Sequence, residues 1–145
     1  KQVAEDSVLN ANYILRSLED VLDAPFGASG PCMHEAIFSD KGFAGGLSTI
    51  DVAKGLIDEG FHPMTMYFPL VVHGAMLVEP TETESKAGLD QFIAALRSIA
   101  ERAKGGDQSL KAAPVHAPRR RLDETLAARK PVLTYRDPPA AEAAE

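Results

Sequence analysis

The 145-residue sequence holds one cysteine and no tryptophan. A lone cysteine, Cys32, excludes an internal disulfide and any zinc site built on several thiolates; it fits a reducing, cytoplasmic setting. No apolar run approaches the roughly 20 residues needed to span a bilayer. Residues 1–10 mix charge with apolar residues where a secretory leader would be unbrokenly apolar. Cations are also few, with 15 Lys and Arg against 21 Asp and Glu and a net charge of −6. The one basic run, Arg119-Arg120-Arg121, is followed by Asp123 and Glu124. A phosphate backbone needs clustered Lys and Arg, so neither nucleic acid nor a membrane is an expected partner. Phosphate-cradling loops are missing as well. Gly42, Gly45 and Gly46 share one loop, but without a following Lys-Ser/Thr or the dinucleotide spacing, and no Gly-x-Ser-x-Gly elbow occurs.

What is present suits one domain with its own core. Hydrophobic residues make up 45% and charged residues 25%, ordinary values for a globular chain. Residues 2–22 show Val8, Ala11, Leu15, Leu18 and Leu22 at spacings of three and four, the stripe of an amphipathic helix. Pro25, Gly27 and Gly30 end it, and no Ser, Thr, Asp or Asn caps its start. The missing cap and the missing initial methionine suggest a piece of a longer polypeptide, with this stripe as a sticky surface once its partner is gone.

Residues 32–38 (CMHEAIF) read as a strand, with Cys32, His34, Ala36 and Phe38 on one face and Met33, Glu35 and Ile37 on the other. Ser48-Thr-Ile-Asp51 has capping-box spacing and opens a helix carrying Val52, Ala53, Leu56 and Ile57, with Gly60 at its end. Residues 64–68, between two prolines, and residues 75–79, closed by Pro80, read as two more strands. Thr81-Glu-Thr-Glu84 suggests a second capping box ahead of a helix with Leu89, Phe92, Ile93, Leu96, Ile99, Ala100 and Ala103 on one face. The order β-α-β-β-α then favours a three-stranded antiparallel sheet in the order 1-3-2, with the helices on one face. The fold class is α+β. Beyond Asp107 prolines multiply. A short helix is expected over 119–129, an extended stretch over 131–135, and a disordered Ala/Glu/Pro tail over 138–145.

Four histidines raise the question of a metal, but no two of His34, His62, His73 and His116 have ligand spacing. His34-Glu35 begins like a metalloprotease helix, yet Phe38 stands where its second histidine belongs. No metal is expected. His34 and Glu35 draw notice as ionisable groups in an apolar strand, where desolvation is costly unless they are paired; the plain alternative is a sheet edge reaching water. Glu79, Thr81 and Glu82 crowd a strand-to-helix junction, where capping alone accounts for most of the hydroxyls. His62-Pro63 after a helix end can be simple turn chemistry.

Several strings resemble one family. Gln2-Val-Ala-Glu-Asp and Leu9-Asn-Ala-Asn-Tyr-Ile14 resemble the interdomain helix of the P-protein of the glycine cleavage system, and Gly30-Pro-Cys-Met-His-Glu35 the entry to its small domain. Asp51-Val-Ala-Lys54, Gly60-Phe-His-Pro63, Tyr67-Phe-Pro-Leu70 and Glu79-Pro-Thr-Glu-Thr-Glu-Ser-Lys86 resemble its later signatures. The Tyr-Phe-Pro form is similar to bacterial enzymes whose P-protein is split in two, here the end of the second subunit. The resemblance implies the small C-terminal domain of a type I aminotransferase-like fold that uses pyridoxal phosphate. It divides the chain into an interdomain helix (1–27), the small α+β domain (28–106), an extension (107–137) and the tail. It further implies glycine as substrate, with subunit 1 and the lipoylated H-protein as partners. The cofactor lysine would lie outside this chain, since none of its seven lysines has a matching context. His34, Glu35, His62, Glu79, Thr81 and Glu82 lie in matching motifs and are the candidates to face the active site. A stand-alone ligand-binding or protein-interaction module on the same sheet is the competing expectation.

Overall fold

The computed structural model describes residues 1–135. Its elements are α1 (Gln2–Leu18), β1 (Ala36–Phe38), α2 (Thr49–Asp58), β2 (Thr65–Met66), β3 (Met76–Val78), α3 (Lys86–Lys104) and α4 (Glu124–Arg129), with 3-10 turns at Gly27–Ser29 and Gln108–Ala112. The sheet is antiparallel throughout in the order β1-β3-β2, the arrangement expected from the alternation of elements. One face turns Ala36, Phe38, Met76 and Val78 into the core against α1, α2 and α3. The other face carries Ile37, Leu77 and Thr65, which are less buried.

β1 is three residues long where seven were expected. The register pairs Ala36 with Val78, so the next pairs would set Glu35 opposite Glu79 and His34 opposite Pro80. Like charges directly opposite destabilise a ladder, and proline has no N–H to give it. Pairing therefore stops at Ala36, and His34 and Glu35 lie in the segment before the strand.

α1 ends at Leu18, but its stripe continues through a turn in which the Leu22 N–H donates to the Leu18 carbonyl at 2.8 Å. Ala11, Leu15, Leu18 and Leu22 are buried in this domain, so the stripe is not the bare surface expected of it. The apolar side chains that α1 leaves outside are Val3 and Leu9. The capping box at Ser48 and Asp51 forms as expected. The one at Thr81–Glu84 does not: Ser85 caps α3, accepting from the Gly88 N–H at 3.1 Å. Asn10 explains why, because its amide donates to the Thr81 carbonyl at 2.9 Å and holds that residue in a turn.

Beyond α3, Leu110 and Ala113 reach into the core. The helix expected over 119–129 shrinks to six residues capped by Asp123, because Arg121 is drawn inward to Asp51. Residues 131–135 form no strand, and the tail over 138–145 lies outside the described residues. No helix among the described residues is long and apolar enough to cross a membrane.

Candidate functional site

A groove of about 550 Å³ opens beside the β2–β3 pair. Its floor is apolar, formed by Ile14, Met64, Val78 and Leu89, with Phe61 and Phe92 meeting edge to face at 5.6 Å and 78°. Its rim carries His62, Thr65, Glu79, Thr81 and Glu84 and no lysine or arginine.

At one end of the groove, Glu79 belongs to a second group. The His34 Nε2 atom lies 4.0 Å from both Glu35 Oε1 and Glu79 Oε1. The sheet register causes this convergence, because the position opposite Glu79 in an extended ladder is Glu35. The three side chains are between 39% and 56% exposed, so they are not the buried acid and base that a strand position suggested. Each offers a ligand atom within 4.8 Å of the others. One imidazole with two carboxylates is a set that histidine spacing alone could not show; at 4.0 Å the imidazole is hydrogen-bonded to neither carboxylate.

The structure thus joins five of the six sequence candidates. His62, Glu79 and Thr81 line the groove, and His34 and Glu35 reach it through Glu79. Glu82 is exposed and stands outside the groove lining.

Two asparagines of α1 position the site. The Asn12 amide donates to the Cys32 carbonyl at 2.8 Å, and its Oδ1 accepts from the Cys32 N–H at 2.9 Å. This two-point clamp fixes the backbone two residues before His34. Asn10 holds the turn at Thr81 by donation alone, its amide reaching the Thr81 carbonyl at 2.9 Å and the Glu84 carbonyl at 3.5 Å. Across the helices, the Tyr13 hydroxyl donates to Asp90 at 2.6 Å and accepts from Lys86 at 3.2 Å. Hydrogen bonding to Asp90 and Tyr13 pushes the Lys86 pKa up, and the bond from Lys86 holds Asp90 below the usual carboxylate range. Half-burial pushes the Cys32 thiol up, away from a reactive thiolate. Sequence reasoning missed Asn10 and Asn12 as positioning groups. Their only signal was two polar amides two residues apart on a helix otherwise easy to read.

Fold and site together define a small antiparallel α+β domain with an acidic-rimmed groove at the end of its central strand. Over residues 3–118 the chain matches the family described as glycine dehydrogenase, C-terminal domain, and it belongs to that family. It is 66% identical over 138 residues to the probable glycine dehydrogenase (decarboxylating) subunit 2 of Caulobacter vibrioides, covering 94% of this chain and 26% of that protein. Similar proteins of the same name occur in Shouchella clausii, 50% identical over 93% of this chain and 27% of the relative, and Listeria innocua, 48% identical over 93% and 28%. The chain therefore spans about a quarter of the length of these relatives.

Proposed function

We propose that this chain is the lid and scaffold domain of a pyridoxal-phosphate-dependent glycine decarboxylase, working with the other three quarters of such a polypeptide. The observation that carries this reading is the match over residues 3–118 to the C-terminal domain of glycine dehydrogenase. In the complete enzyme, a type I aminotransferase-like architecture in the bacterial cytoplasm, glycine loses carbon dioxide. The aminomethyl group passes to the lipoyl arm of the H-protein. Subunit 1 is the partner that the relatives' numbering as subunit 2 suggests.

Pyridoxal phosphate supplies an electron sink when bound, but the residues of this chain do not fit it. The groove offers a phosphate no cation and presents Glu79 and Glu84 instead. Lys86 is tied to Asp90 at 2.7 Å with a raised pKa, the reverse of the lowered pKa that activates an amine. The cofactor is therefore assigned to the remainder of the subunit.

This chain contributes charge and shape at the edge of the site it covers. Glu35 and Glu79 favour an ammonium group, and His34 between them can hold or pass a proton. The apolar floor of the groove keeps water from whatever it closes upon. To test the assignment, the 145-residue chain is mixed with pyridoxal phosphate, reduced with borohydride and weighed. No stoichiometric adduct is expected, and one full equivalent at a single lysine would overturn the reading.

A further inference from the structure

Residues 63–72 carry no charged side chain, and the connection between β2 and β3 pushes the middle of that run into solvent. Tyr67 and Phe68 are 45% and 58% exposed, and Leu70 and Val71 are 88% and 85% exposed. Isolated apolar residues on a surface are ordinary. Four in five consecutive positions are a patch, and patches mark surfaces that something covers.

This tip is anchored. The Tyr67 N–H donates to the Ala75 carbonyl at 2.8 Å, and the Val72 N–H to the Pro69 carbonyl at 3.1 Å. The first turn of α2 grips both flanks: the Ile50 N–H donates to the Tyr67 hydroxyl at 3.3 Å, and the Thr49 hydroxyl to the Gly74 carbonyl at 2.6 Å. Tyr67 itself sits in the left-handed region at φ 58°, a conformation a bulky residue holds only when its surroundings impose it. Gly74 lies so close to Asp40 that a side chain there would collide with the carboxylate. The tip is thus presented in one shape. It is also distinct from the groove cluster: Ala75 and Glu79 bracket β3, so roughly 13 Å of extended chain separates them.

Size and tether decide the occupant. Four side chains fall well short of the roughly 20–30 residues a side of a stable interface between separate chains. They suit a contact between domains of one polypeptide, where covalent linkage supplies a high effective concentration. The relatives are about four times as long as this chain, which covers 26% to 28% of them, so a covalently joined partner is at hand.

We propose that the tip at residues 67–71 docks this domain onto the remaining part of its own subunit, in an apolar hollow there. The proposal rests on the reading of the chain as the closing domain of that enzyme.

Hydrogen exchange tests it by comparing the 145-residue chain with the full-length subunit 2, alone and with subunit 1. The Phe68, Leu70 and Val71 amides are expected to exchange at least about tenfold more slowly in full-length subunit 2 alone. Unchanged exchange, protection only after subunit 1 is added, or protection in the short chain that grows with its concentration would each overturn the proposal. The double variant Leu70→Ser, Val71→Ser should leave the Tm of the short chain unchanged and lower that of the full-length subunit; an equal response in both would also overturn it. Failure of the full-length subunit to bind pyridoxal phosphate would instead defeat the functional reading and leave the exchange result standing.

Discussion

Asp51 and Arg121 meet at 2.7 Å with only 5% of the aspartate side chain exposed, whereas His34 stays 4.0 Å from two glutamates with all three side chains well hydrated. The first set is closed. Asp51 also accepts from the Ser48 N–H at 2.9 Å, while Arg121 donates to the carbonyls of Ala113 at 2.8 Å and Leu110 at 2.9 Å. One guanidinium thus ties the chain beyond α3 to the start of α2. The second set is open, its polar atoms left to water. Buried charges must be fully paired to be tolerated, so a closed set holds the fold. An exposed and loosely spaced set adds little stability.

The largest expected effect breaks the open set without touching the fold. In the complete enzyme, His34→Asn or Glu79→Gln should lower glycine–bicarbonate exchange by about 10²–10⁴, the range of a general acid or base. Exposed positions change stability by no more than about 0.5 kcal/mol, so the Tm should stay put. Near-normal exchange with a lowered Tm would show that the cluster is structural and erase the contrast. Next comes Arg121→Ala. Breaking a buried pair costs about 3–5 kcal/mol; Arg121 is 31% exposed, which screens the pair and brings the expectation down to about 2–3 kcal/mol. Urea unfolding of the 145-residue chain would measure it, and a loss below about 0.5 kcal/mol would mean that Asp51 finds water instead.

Between the two sets stands the clamp. Asn12→Ala leaves the half-buried Cys32 N–H and carbonyl without their side-chain partner, at about 1–2 kcal/mol. It should also slow turnover, because the His34 segment loses its anchor. Loss of stability alone would separate the clamp from the site.

How far the sequence revealed these features follows from the range of each interaction. The capping box of α2 was legible because its two members are three residues apart. The sheet order was legible because the alternation of elements and short connections leave few topologies. The shortening of β1 was implicit in Pro80 and the two glutamates, but became visible only once register set 35 against 79. Asn10 with Thr81, and Arg121 with Asp51, join residues 71 and 70 positions apart, and no local pattern announces such pairs. His34 and Glu35 were noticed for the apolar run around them. The structure brings them together with Glu79, and their exposure follows from the ladder ending before it reaches them.

Asp107 supplies the smallest and sharpest comparison, because it is exposed like the open cluster yet closely bonded like Asp51 in the closed one. Arg102 Nε donates to its carboxylate at 2.9 Å, and the Ser109 N–H adds a second bond at 3.0 Å. The hydrogen bond from Arg102, followed by those from Ser109, pulls its pKa down to about 2. The unfolded chain would titrate near roughly 3.9, so between these values the folded state binds fewer protons and stability rises with pH. The contribution is complete above about pH 4 and disappears as pH falls through about 2. Carboxyl chemical shifts followed by NMR from pH 6 to 1.5 should show the depressed midpoint, and Arg102→Gln should move it back toward the ordinary value. A midpoint already ordinary in the unaltered chain would mean that water screens a close exposed pair as fully as a loose one. Contact distance would then no longer separate closed from open sets, and burial alone would carry the distinction.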